Sequence, residues 1–213
     1  MQNGSQQFVV VAAGDGPHVD VPAGAVVIAA DGGLERAQAL GLEVAVAVGD
    51  FDSAGSQAVL AAERGGTRIV RHPTAKDATD LELALDEAVS LGAKRILVVA
   101  SDGGRLDHLL GVLLLLGADG YREIAVDALV GHAVVSVVRG SRVLKATPGE
   151  ILTLLPLHGA SSGVTTSGLE YPLDNETLEP GSTRGVSNVF IAAEATVTVE
   201  RGVLMAIRTG GVA

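Results

Sequence analysis

The stretch "VAVAVGDFDSAGSQAVLAAERGG", residues 44–66, carries the first decision about the fold. Its opening, Val44 to Gly49, is apolar without alternation, as a strand covered on both faces requires. The strand ends in Asp50 and Asp52, and a helical segment begins at Ser56. If the chain stays extended through the aspartates, a period of two sends both carboxylates to the same side. There they can face one cation. Ser53 is then placed to cap the helix. A plain turn is the other reading of the same residues.

The same unit recurs on either side. "FVVVAAG" (8–14), "AVVIAADGG" (25–33), "TRIVRHP" (67–73) and "RILVVASDGG" (95–104) read as strands, with helices over "LERAQALG" (34–41) and "TDLELALDEAVSLG" (79–92). In the last of these, Thr79 and Glu82 have capping-box spacing. Leu81, Leu85, Ala88 and Val89 form its apolar stripe, and Gly92 supplies a stop. Alternation of this kind predicts an α/β domain with a parallel, doubly wound sheet over residues 1–131. Beyond it the texture changes. "AVVSVVRG", "SRVLKATPG", "ILTLLPLHG", "TVTVERG" and "VLMAIRTG" are β-rich runs broken by Gly and Pro turns. They predict an all-β, sandwich-like domain over 132–213.

Composition narrows the function. Aromatic residues are only 2% against 47% hydrophobic, so the core must be built from Ala, Val and Leu. A net charge of -10 without a basic run argues against a nucleic-acid partner. The absence of cysteine excludes disulfides and thiolate metal sites. The start "MQNGSQQ" lacks the positive region of a signal peptide. The longest apolar run, "LLGVLLLLGA" (109–118), is well short of the ~20 residues of a membrane helix. A cytoplasmic protein without a membrane partner is expected.

The sequence has neither the GxxxxGK[ST] phosphate loop nor a GxSxG elbow. "AAGDGPHVD" (12–20) begins like a dinucleotide fingerprint but carries Val19 at the third glycine position. Four acidic, glycine-flanked clusters remain, three of them at the C-terminal ends of predicted strands, the ligand edge of an open α/β sheet. Asp31-Gly32-Gly33 leads into a helix, where backbone N–H groups can meet a phosphate or simply make a turn. Asp50 and Asp52 are the second cluster. "KDATD" (76–80) offers Asp77 and Asp80, with Lys76 to neutralise a phosphate. Helix capping explains Thr79 but not a lysine at a helix start. "SDGGRLDH" (101–108) presents Arg105, whose fork suits phosphate oxygens, beside Asp107 and His108. Arg105 and Asp107 can equally form a surface ion pair. Together the four describe a Mg2+-nucleotide site without a phosphate loop, suited to phosphoryl or pyrophosphoryl transfer.

In order and spacing, "ADGG", "GDFDS", "KDATDLELAL" and "GGRLDH", with the later "SGLEYPLDNETLEPGSTRGVSN" (167–188), resemble the thiamine pyrophosphokinase family over nearly the whole chain. The resemblance implies an α/β domain followed by a β-sandwich. It implies transfer of pyrophosphate from ATP to the thiamine hydroxyl, giving thiamine diphosphate and AMP. It also implies a homodimer with thiamine at the junction between subunits. Carried over by motif, Asp50, Asp52 and Asp80 are the carboxylates around Mg2+ and the phosphates, with Asp77 beside them. Lys76 and Arg105 hold the triphosphate, and Asp31, Gly32, Gly33 and His108 lie on the ATP side. Asp107 sits near the thiamine hydroxyl or the nucleotide. Ser187 and Asn188 grasp the aminopyrimidine. The chain departs from the family at Val112, where many members have Asn, and at Val189, where bacterial members often have an acidic residue. It also carries Ser101-Asp102 where smaller residues are usual. The competing expectations are a diphosphokinase for another hydroxymethyl heterocycle, such as a pterin, and a non-catalytic binder of thiamine or nucleotide. "STRGVSN" (182–188) favours thiamine, and intact carboxylates in every motif favour catalysis.

Overall fold

Six apolar runs of the N-terminal region pair side by side, all in the same direction. They are β1 (Gln7–Val11), β2 (Val26–Ala30), β3 (Val44–Gly49), β4 (Arg68–Arg71), β5 (Arg95–Ala100) and β6 (Ala125–Val130). Their order is β6-β5-β1-β2-β3-β4, with every neighbouring pair parallel. The structure is a computed structural model and describes residues 6–15, 19–52 and 55–210. Val9, Val10, Val11, Ile28, Ala29 and Val48 are wholly buried, the small aliphatic core that the composition demands. β6 was not among the expected strands. It alternates buried Val126, Ala128 and Val130 with more exposed residues.

Among the described residues four α-helices connect or follow these strands: α1 (Gly33–Ala39), α2 (Ser56–Arg64), α3 (Asp80–Ser90) and α4 (Leu106–Leu116). α3 has the Thr79 half of the expected capping box, the hydroxyl accepting the Glu82 N–H at 3.2 Å. Its buried stripe is Leu81, Ala84, Leu85 and Ala88. Ser53 lies outside the described residues, and the N-cap of α2 is Gly55. The Gly55 N–H donates to Glu35 Oε1 of α1 at 2.8 Å, so a neighbouring helix satisfies that helix start.

The chain divides into two compact units. One holds residues up to 112 together with 123–131; the other holds 113–122 together with 132–213. In the first, the chain leaves β1 through β2, β3 and β4 to one side and resumes at β5 on the other side of β1. The direction of winding therefore switches between β1 and β5, and the C-terminal ends of β2, β3, β4 and β5 open on one edge.

The second unit is antiparallel. β7 (Ala133–Lys145), β8 (Ile151–Ser167), β10 (Asn188–Val189) and β11 (Glu194–Thr209) run in the order β10-β8-β11-β7, and β9 (Glu176–Leu178) pairs with β8. The long strands are interrupted part-way. Val199 faces Gly140 but Leu204 faces Val138, and Arg201 faces Ser162 while Val203 faces Leu157. Such extra residues bend a strand and raise its twist. Both parts of β8 then contribute to one core, Leu152 and Leu154 from the first and Val164 from the second. Leu169, Leu173, Leu178 and Phe190 join it, with Val138 and Leu144 of β7 and Val197 and Leu204 of β11. Among the described residues no helix is long and apolar enough to cross a membrane.

Candidate active site

Phe51 decides how β3 ends. Its ring is buried with Ala29, Leu34, Ala47, Val59 and Ala62, and the Arg71 guanidinium lies 5.2 Å from the ring centre. To bury that ring the backbone turns at Phe51 into the left-handed region, φ 58°. The chain is therefore not extended through the aspartates. The Asp52 N–H instead folds back and donates to Asp50 Oδ1 at 3.1 Å. This corrects the period-two expectation: Asp50 and Asp52 are not two ligands in a row on one strand face. Asp52 is exposed, while Asp50 points into a cluster with residues from β2 and α3.

That cluster consists of Asp31, Asp50 and Asp80, whose carboxylate oxygens lie within 4.8 Å of one another. Asp31 follows β2, held by its N–H donating to the Val48 carbonyl of β3 at 2.8 Å. It too has a left-handed backbone, φ 44°. The two strand ends come this close because Gly49 lacks a side chain. A Cβ there would stand 3.1 Å from Asp31 Cα and 3.3 Å from its backbone nitrogen. Asp80 arrives as the first residue of α3, where the helix dipole favours a carboxylate.

Lys76 is the cation within this group. Its ammonium donates to Asp50 Oδ2 at 3.0 Å and lies 3.0 Å from Asp80 Oδ1. Asp80 Oδ1 is a buried oxygen that draws on the Lys76 charge. Burial pulls the Lys76 pKa down, but Asp80 and Asp50 outweigh it and the net shift is upward. Asp50 is held below the usual carboxylate range by the Asp52 N–H and then by Lys76. Two unit charges about 4 Å apart repel by roughly 4 kcal/mol at an effective dielectric of about 20. Three carboxylates crowded together with a single lysine thus favour a further cation. The donor set is all hard oxygen, and Asp80 Oδ1 is buried without a hydrogen bond, which fits a divalent ion such as Mg2+.

The other expected residues take different places. Asp77 is exposed and outside the cluster. Gly33 is buried, and a Cβ there would stand 2.0 Å from the Val11 carbonyl oxygen, so that glycine serves close packing of helix on strand. α1 has only seven residues. Its first free N–H after the glycines, that of Leu34, already donates to the Asp31 carbonyl at 3.0 Å.

Arg105 and Asp107, at the start of α4, pair with each other. Nε donates to Oδ1 at 3.1 Å and a terminal nitrogen to Oδ2 at 2.5 Å. Arg105 lowers the Asp107 pKa to about 2. His108 is exposed beside them.

In the second unit Ser187 and Asn188 part company. Ser187 is exposed, with φ 59° and its N–H donating to Thr153 Oγ1 at 3.1 Å. Asn188 is buried. Its Oδ1 accepts the Tyr171 and Val189 N–H groups at 3.0 and 2.9 Å, and Nδ2 donates to the Tyr171 carbonyl at 2.6 Å. Asn188 therefore fixes the segment that carries exposed Tyr171. Sequence reasoning counted Asp31 among phosphate contacts and missed its place beside Asp50. The signal was available, since "AADGG" and "AVGDFD" end adjacent parallel strands.

Carboxylates and a lysine at the strand ends of an α/β unit, without a phosphate loop, are the equipment of a group-transfer enzyme acting on a polyphosphate. The family model described as "Thiamin pyrophosphokinase, catalytic domain" matches residues 22–125, and "Thiamin pyrophosphokinase, vitamin B1 binding domain" matches 142–204. The thiamine pyrophosphokinase of Bacillus subtilis (strain 168) is 29% identical over 173 residues, 76% of this chain and 77% of that one. A crystal structure of thiamine pyrophosphokinase from Bacillus subtilis matches with a TM-score of 0.84 at 26% identity, covering 97% of this chain and 100% of that one. The one from Geobacillus thermodenitrificans gives 0.81 at 27% identity, covering 96% and 98%. The chain belongs to the thiamine pyrophosphokinase family, a family of ATP-using diphosphotransferases.

Proposed function

We propose that the protein transfers the pyrophosphoryl group of ATP to the hydroxyl of thiamine, giving thiamine diphosphate and AMP, at the carboxylate cluster of Asp31, Asp50 and Asp80. The observation that carries the choice of substrate is the match of the second unit to a vitamin B1 binding domain over residues 142–204. It favours thiamine over a pterin alcohol. The intact cluster favours catalysis over mere binding.

In this reaction the thiamine hydroxyl oxygen attacks the β-phosphorus, the bond from that phosphorus to the α,β-bridging oxygen breaks, AMP departs, and the hydroxyl proton passes to solvent. Asp31, Asp50 and Asp80 would hold Mg2+, which supplies charge neutralisation for the polyphosphate. Lys76 and Arg105 hold the triphosphate oxygens. Arg105 is exposed and can exchange Asp107 for phosphate with little loss of hydration. Asp107 holds Arg105 in place until phosphate oxygens displace it. Ser187 and the exposed ring of Tyr171 face solvent in the second unit and are the contacts we assign to thiamine, with Asn188 holding Tyr171 in place.

The test is incubation of the purified protein with ATP, Mg2+ and thiamine, followed by chromatography of the products. AMP and thiamine diphosphate are expected. ADP with thiamine monophosphate, or turnover only with a pterin alcohol, would overturn the reading.

The homodimer also belongs to this proposal. α4 exposes Leu106, Leu110 and Leu114 at successive turns, 68, 51 and 50% accessible, an apolar face suited to a second copy. Sedimentation should find a dimer that L110E weakens. A wild-type monomer at micromolar concentration would refute it.

A further inference from the structure

Lys76 stands where a helix start least favours it. It precedes α3 by four residues, near the positive end of the helix dipole. Only 14% of its side chain is exposed, and its ammonium lies 3.0 Å from both Asp50 Oδ2 and Asp80 Oδ1. Both residues belong to the carboxylate trio whose ligand oxygens span no more than 4.8 Å. Mg2+ binds oxygen at about 2.0–2.1 Å. A cation drawing on Asp50 Oδ2 and Asp80 Oδ1 would enter the space the ammonium now fills.

We propose that Lys76 is a built-in counter-ion, which closes the carboxylate cluster in the metal-free protein and is displaced when a divalent cation binds. Its four-carbon stem lets the ammonium leave by rotation about side-chain bonds. The released ammonium then meets the anionic substrate. Only that destination rests on the functional reading above; the displacement does not depend on which reaction follows. Metal loading and substrate capture are thereby linked through one side chain, and the cluster is never left as three bare carboxylates.

The test is Mn2+ binding to the full chain without nucleotide, by calorimetry and by the electron-spin signal of free Mn2+. Wild type is compared with K76M, K76Q and K76R. K76M and K76Q remove the competitor and should bind Mn2+ at least about tenfold more tightly. K76R keeps the charge and should bind no more tightly than wild type. Metal-free K76M should also melt earlier than wild type, and Mn2+ should restore it by more than it raises wild type. A K76M that folds only with Mn2+ supports the proposal, and K76Q then supplies the affinity. Equal or weaker Mn2+ binding by both neutral variants overturns it. Failure of the wild type to make thiamine diphosphate would instead defeat the functional reading and leave this order of affinities intact.

Discussion

Asp50, Lys76 and Asp80 leave 10, 14 and 23% of their side chains exposed, whereas Arg105 and Asp107 leave 71 and 65%. Both groups are ion pairs beside the start of a helix, and Arg105–Asp107 has the better hydrogen-bond geometry. Access to water separates them. An exposed pair contributes about 0–1 kcal/mol, since either partner can return to solvent at little cost. A largely enclosed group cannot rehydrate, and removing one partner leaves a charge stranded. The enclosed group is thus a fixed place for a cation, and the exposed pair is a hand free to change partners.

The widest split should come from two neighbours. D50N removes a ligand from the enclosed trio and should lower turnover by about 100-fold or more, the scale of losing one preorganised electrostatic contact. D52N alters an exposed side chain outside the trio and should cost only a few-fold. Rates of AMP formation at saturating Mg2+ measure both. Equal losses would erase the distinction between enclosed and exposed carboxylates.

R105A tests the other side. Losing its fork should raise the KM for ATP by about tenfold, as a charge-assisted hydrogen bond is worth about 1.5–3 kcal/mol. Mn2+ affinity without nucleotide should stay unchanged, because Arg105 pairs with Asp107 and not with the trio. A parallel loss of Mn2+ binding would place Arg105 in the metal site.

The enclosure itself depends on Gly49. G49A puts a methyl group about 3 Å from the Asp31 backbone and should cost roughly 1–3 kcal/mol, the range for forcing extra volume into a packed site. Denaturant unfolding reads it. Mn2+ affinity should fall with it, since β2 and β3 must part. Unchanged stability and metal binding would show that the strand ends need not be so close.

Much of this contrast was legible in the sequence, though not all of it. Continuous apolar runs that end in acidic residues marked β2 and β3, and period-3.6 apolar spacing with a Thr cap marked α3. Lys76 stood out because a lysine contradicts the helix dipole, and its two carboxylate partners explain it. The backbone reversal at Phe51 was not legible. It depends on the ring reaching residues of β2, α1, β3 and α2, contacts that no local pattern specifies. That reversal removed Asp52 from the trio. The approach of Asp31 to Asp50 followed from strand pairing and an absent side chain at Gly49. Asn188 lies in the expected motif, but its burial and its hydrogen bonds to the Tyr171 backbone were not legible there.

The smallest predicted effect separates the two groups by salt. Arg105 sets the Asp107 pKa near 2, below the ordinary ~3.9 of an aspartate. A lowered folded-state value means the pair adds stability above about pH 4 and loses it as pH falls towards 2. With both side chains mostly in water, that attraction is open to screening. Carboxyl carbon NMR should therefore show the Asp107 midpoint rising as salt increases, and R105A should return it to the usual range. The depression of Asp50 begins with a backbone N–H from Asp52 and is completed by an enclosed lysine, neither of which salt reaches easily. Its midpoint should move less over the same salt range. If Asp107 titrates near 4 at low salt, or Asp50 shifts as far as Asp107 does, water access is not what divides the two groups.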